Sequence, residues 1–130
     1  MKNPYLFADW IYHLIEYSQS NDMYYKDPAW LAFNDSTFKY GNGGRDAYKD
    51  PTYANTEHPR VGFVTGYATS ALEEDKAETY AFLFVKEGYA SLQKWEPEDQ
   101  ILTKKVNYLK KFILSRVPEM NDAYFQKINN

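Results

Sequence analysis

The chain is 130 residues long, one domain by the length prior, with a net charge of -3 and no cysteine. No basic excess exists to neutralise phosphates, which argues against a nucleic-acid partner. The missing cysteines exclude disulfide scaffolds, thiolate metal sites and cysteine nucleophiles together. Only His13 and His58 offer an imidazole, while aromatic residues reach 18%, with 13 tyrosines. No apolar run approaches the ~20 residues of a membrane span, and Asp9 falls too early for a signal-peptide core. The expectation is a cytoplasmic protein without a membrane partner; export by processing stays open.

The first predicted helix runs from Pro4 to Ser20. Asn3 suits its N-cap, Pro4 its first position, and Phe7, Trp10, Ile11, Leu14 and Ile15 form its apolar arc. The middle, Asn21 to Thr69, is punctuated by turn signals at Asp27-Pro28, Gly41 to Gly44, Asp50-Pro51 and His58-Pro59. Its only strand-like run is Arg60 to Thr65. The position of His58 between Glu57 and Pro59 predicts an exposed turn residue. A second helix is expected from Ala71 to Glu87, with a Ser70/Glu73 capping box and Gly88 as its stop. Its inward stripe is Ala77, Ala81, Phe84 and Val85, with Tyr80 alongside. The third starts near Pro97 and ends before Pro118. It carries Leu102, Val106, Leu109 and Phe112 or Ile113, with Lys104, Lys105, Lys110 and Lys111 as a solvated face. A short last helix spans Asp122 to Ile128. The fold class is therefore mainly α: three or four packed helices around a long, irregular, aromatic-rich segment.

Glu74 and Glu78 lie four apart and share a helix face with Ala77, Ala81 and Val85. Acidic residues suit the first turn of a helix, which accounts for Glu73 and Asp75 but less well for Glu78. A carboxylate aligned with an apolar stripe needs a donor, a cation or a metal.

Tyr67, Glu74 and Glu78, preceded by Gly62-Phe63-Val64, resemble the C-terminal half of a zinc metallopeptidase catalytic domain. The class is the one whose third zinc ligand is a glutamate on a second helix, as in the putative zinc-binding metallopeptidases of bacteria and the lethal-factor-type toxins. The segments Asp27 to Asn34, Phe38 to Gly41 and Gly43-Gly44-Arg45 are similar to the linking region of one such bacterial group. The resemblance implies that Glu74 binds metal, that Glu78 supports a histidine ligand, and that Tyr67 stabilises an oxyanion. It also implies that the first two helices lie side by side, with Glu74 and Glu78 facing His13 and Asp9. Without metal, His13 is then expected charged, or donating to Glu74 or Glu78.

The chain departs from the HExxH pattern, in which two histidines bind zinc and the intervening glutamate activates water. Here Asp9-Trp10-Ile11-Tyr12-His13 stands in its place. Aspartate can ligate zinc, so Asp9, His13 and Glu74 form a candidate ligand set. Trp10 cannot replace the glutamate, because indole has a donor and no basic site. An Asp and a His four apart are equally an ordinary helix pair. Only eight residues precede Asp9. The expectation is a single metallopeptidase-like domain over residues 1–130, without the family's N-terminal subdomain, or one half of a split protein. Trp10 is expected to fill the old site. The reading favours a catalytically inactive, metal-free relative that binds or regulates a protein or peptide. Its alternatives are a hydrolase with zinc or another divalent cation on Asp9, His13 and Glu74, and a small carbohydrate- or peptide-binding module.

Overall fold

A computed structural model describes residues 4–17, 25–43 and 57–130. It is mainly helical, with one small antiparallel hairpin. The predicted Asn3 cap, the helix end at Ser18 to Ser20, and the turn signals at Gly44-Arg45 and Asp50-Pro51 lie outside the described residues.

Helix α1 (Pro4–Tyr17) and helix α2 (Pro28–Phe33) each begin on a proline. Proline's fixed φ and missing N–H suit that position. Asp27 caps α2, its Oδ1 accepting from the N–H groups of Ala29 at 3.1 Å and Trp30 at 3.3 Å. The strand-like run becomes a hairpin: β1 (Glu57–Arg60) pairs with β2 (Phe63–Thr65), with Glu57 opposite Thr65 and Arg60 opposite Phe63. The sequence reading merged the end of one strand, the turn and the next strand. Gly62 makes the turn possible at φ +93°, and a Cβ there would lie 2.6 Å from Ile101 Cγ2.

A 3-10 turn (Tyr67–Ser70) leads into α3 (Leu72–Phe84), the central helix. It packs against α1, β2 and the helices that follow, so residues on nearly all its sides are buried. The expected Ser70/Glu73 capping box does not form. Ala71 occupies the N-cap without a side-chain bond, and Ser70 Oγ instead donates back to Tyr67 O at 2.7 Å. The predicted helix also breaks early. Val85 is extended, and α4 (Lys86–Trp95) starts at once. Gly88 is therefore not a stop. It sits buried inside α4, where a Cβ would meet Phe82 Cα and Tyr5 Cε1, both at 2.9 Å. Close packing, not a left-handed cap, requires that glycine.

A second 3-10 turn (Glu96–Glu98) precedes α5 (Gln100–Arg116), and α6 (Asp122–Ile128) closes the chain. Asp99 caps α5 by accepting from Leu102 N–H at 2.9 Å, and Asn121 caps α6 through Tyr124 N–H at 3.0 Å. The expected stripe of α5 is buried: Leu102, Val106, Leu109 and Ile113 enter the core with Tyr12, Trp30, Val64, Leu83 and Phe125. Among the described residues, no helix is long and apolar enough to cross a membrane.

Candidate functional site

Helix α1 lies along α3, and their shared face carries the residues singled out in the sequence. His13 Nε2 stands 3.3 Å from Glu74 Oε1, one turn from Asp9, which faces Glu78. The expected pairing of the two helix faces is therefore present. Its chemistry is set by Asp9. That side chain is buried, and it hydrogen-bonds with Glu78. Burial first, then the bond and charge of Glu78 and the charge of Glu74, push its pKa from the ordinary 3.8 up to about 11. Burial beside two other carboxyl groups disfavours the charged form of Asp9. Asp9 Oδ1 is buried with no hydrogen-bond partner. Thr65 supports the other side, donating its hydroxyl to Glu78 Oε1 at 2.8 Å while accepting from Ala68 N–H at 3.1 Å.

Among the described residues, no group of three or more His, Cys, Asp or Glu converges to hold a metal ion. The Asp9 carboxyl faces Glu78, while His13 faces Glu74. Trp10 also departs from expectation: it does not lie between α1 and α3 but stands 58% exposed, its ring beside Phe7. Tyr67 is half-buried in the 3-10 turn between β2 and α3.

A second polar cluster was missed in the sequence. It lies on another side of α3 and is fully buried. Asp75 Oδ2 accepts from Lys105 Nζ at 2.7 Å, Trp30 Nε1 at 2.9 Å and Tyr40 Oη at 2.6 Å. Lys105 also donates to Gly62 O at 2.8 Å, tying α5 to the hairpin. Lys105 is thus 0% exposed and not part of a solvated face; Lys104 and Lys111 are exposed, and Lys110 pairs with Asp122 at 3.2 Å. Next to it, Lys76 pairs with Asp27 at 2.7 Å, and Tyr108 Oη donates to the same carboxylate. Burial alone would raise the pKa of Asp27, but the bonds from Lys76 and Tyr108 hold it below the usual carboxylate range. For Asp75, burial outweighs Lys105 and raises the pKa; for Lys105, burial outweighs Asp75 and lowers it. These shifts resist charge, while three donors on one oxygen favour the carboxylate. Geometry supports the ion pair, whose net contribution to stability is correspondingly small. The signal in the sequence was thin: Asp75 looked like a helix-dipole residue, and Lys105 had lysine neighbours.

His58 is not a freely exposed turn residue. Its Nε2 is 2.8 Å from Asp99 Oδ2, which also accepts from Gly62 N–H at 2.7 Å. Its ring stacks on Trp95 with centroids 4.6 Å apart. His58 has φ +48°, which this clamp holds in place.

No protein-family model matches this chain, and neither a curated protein nor a solved structure matches it.

Proposed function

We propose that this chain is a degenerate zinc-metallopeptidase-like domain that does not hydrolyse peptides and acts as a binding or regulatory module. One observation carries the reading: Asp9, at the position of the first HExxH histidine, is buried against Glu78 while His13 faces Glu74. That pairing of faces is what the resemblance implies for a family member. Trp10, at the position of the catalytic glutamate, has no lone pair to accept a proton from water. General-base assistance contributes ~10²–10⁴-fold, so its loss alone would leave hydrolysis very slow.

The competing reading is a hydrolase with a divalent cation on Asp9, His13 and Glu74 and with Tyr67 as oxyanion donor. The orphaned Asp9 Oδ1 is its one support. Equilibrium dialysis against zinc at neutral pH, with a fluorogenic peptide-library assay, separates them. The proposal expects no stoichiometric zinc and no turnover. One zinc per chain, lost in His13→Ala, with measurable hydrolysis would establish the competitor. Glycan and peptide titrations followed by tryptophan fluorescence address the carbohydrate- or peptide-binding alternative.

A further inference from the structure

Among the described residues, three buried side-chain oxygens have no hydrogen-bond partner: Asp75 Oδ1, Asn34 Oδ1 and Asp9 Oδ1. Their surroundings differ. Asp75 and Asn34 meet at Tyr40, in a network that already holds a cation, Lys105. Asp9, only 7% exposed, belongs to a cluster without one. The charges that act on it are those of Glu78 and Glu74. Glu73, half-buried on the first turn of α3, is acted on by Glu74 and His13. No lysine or arginine of the described residues is among these charges. A buried acceptor set among carboxyl groups calls for a donor that also carries positive charge.

The class of cation follows from the spacing of the groups. Zinc needs its ligands about 2 Å from one point. Among the described residues no three acidic or histidine side chains converge in that way. Lysine and arginine head groups instead carry several N–H donors that point in different directions and reach acceptors at about 2.7–2.9 Å. Such a group suits carboxyls spread over two helices, Asp9 on α1 and Glu74 and Glu78 one turn apart on α3. The side chains of His13 and Glu74 keep 21% and 14% of their surface exposed, so the cluster is open at that end. We infer that this face takes an organic cation with N–H donors, the guanidinium of an arginine or the ammonium of a lysine, donating to Asp9 Oδ1 and to Glu74. The inference rests on reading the face as a binding site and names the chemistry of its partner, a basic peptide segment. The same chemistry has a second source in Lys2, Arg45 and Lys49 of this chain, which lie outside the described residues.

Nuclear magnetic resonance of the nitrogen-15-labelled full chain tests it, with methylguanidinium and n-butylammonium as probes at constant ionic strength. Tetramethylammonium, of equal charge but without N–H, is the control. The expected result is a saturable shift of the Asp9, Glu74 and Glu78 amides, with a Kd of roughly 1 mM for so small a ligand. Asp9→Asn and Glu74→Gln each weaken binding about tenfold; both are nearly isosteric, and unchanged far-UV circular dichroism certifies the fold. Saturation in the native chain leaves the site to a partner. Saturation only when Lys2→Ala, Arg45→Ala and Lys49→Ala are combined makes the occupant the chain's own. No saturable binding in either chain overturns the inference. So does equal binding of tetramethylammonium, or binding that both carboxyl variants leave unchanged. Stoichiometric zinc in the dialysis experiment would overturn the binding-site reading itself, so the two failures are told apart.

Discussion

Two polar clusters flank helix α3, and they solve the same problem differently. On one side Asp75 and Asp27 meet Lys105 and Lys76, with Trp30, Tyr40 and Tyr108 adding donors. On the other, Asp9 meets Glu78 with no lysine or arginine among the described residues, and burial beside Glu78 and Glu74 raises its pKa. The first cluster ties α2, the hairpin and α5 to the centre of the fold. The second joins α1 to α3, with Thr65 of β2 donating to Glu78, and each cluster leaves one carboxyl oxygen without a hydrogen-bond partner, Asp75 Oδ1 in the first and Asp9 Oδ1 in the second. Charge-matched polar groups in a core are framework. Carboxyl groups held against each other without a cation are the less stabilising arrangement and point to a role beyond the framework.

The largest effect is expected at the matched cluster. Lys105→Met leaves Asp75 buried and uncompensated and should cost about 3–5 kcal/mol in chemical denaturation. A loss below about 1 kcal/mol would erase the contrast between the two clusters. Gly62→Ala is expected next, at about 1–3 kcal/mol, since it strains the φ of +93° and drives a methyl towards Ile101 beneath the same cluster.

The like-charged cluster should show itself in pH dependence. Asp9 has a folded pKa of about 11 against the ordinary 3.8, so the folded state holds the extra proton between these values. The stability this proton confers is complete below the lower value and is lost as pH rises towards the upper one. Thermal melts should therefore fall from pH 5 to pH 9, and Asp9→Asn, an amide that donates without titrating, should flatten that slope. An unchanged slope would remove Asp9 as its source. The smallest effect is expected at His58. His58→Ala loses the bond to Asp99 and keeps an unfavourable φ, whereas His58→Gly loses the bond but relieves the backbone. Glycine should be the more stable of the two by about 1 kcal/mol, and the reverse order would show that φ +48° carries no strain.

Much of the fold was legible because it rests on local signals. Pro4 opens a helix and the apolar spacing of α5 marks its buried stripe, whereas Asp27-Pro28, a turn signal in the sequence, caps and opens α2 inside the segment expected to be irregular. The pairing of Glu74 with His13 was expected from the family resemblance alone, since the four-residue spacings fix a shared helix face but not its partner. What escaped was long-range. The break at Val85 follows from α4 turning back so that Gly88 can pass against Phe82 and Tyr5, which no local residue announces. Lys105 looked solvent-facing because its partner is 30 positions away. Trp10 was assigned to the site by position alone, yet the helix turns it outwards.

Burial of Asp9 beside Glu78 and Glu74 should keep its carboxyl protonated at neutral pH. Carbon-13 NMR of the side-chain carboxyls, titrated from pH 5 to pH 9 with Asp9→Asn used for assignment, reads it directly. The account predicts that the Asp9 carboxyl keeps the shift of a protonated acid across that range. An Asp9 signal already at the ionised position at pH 7 would contradict it.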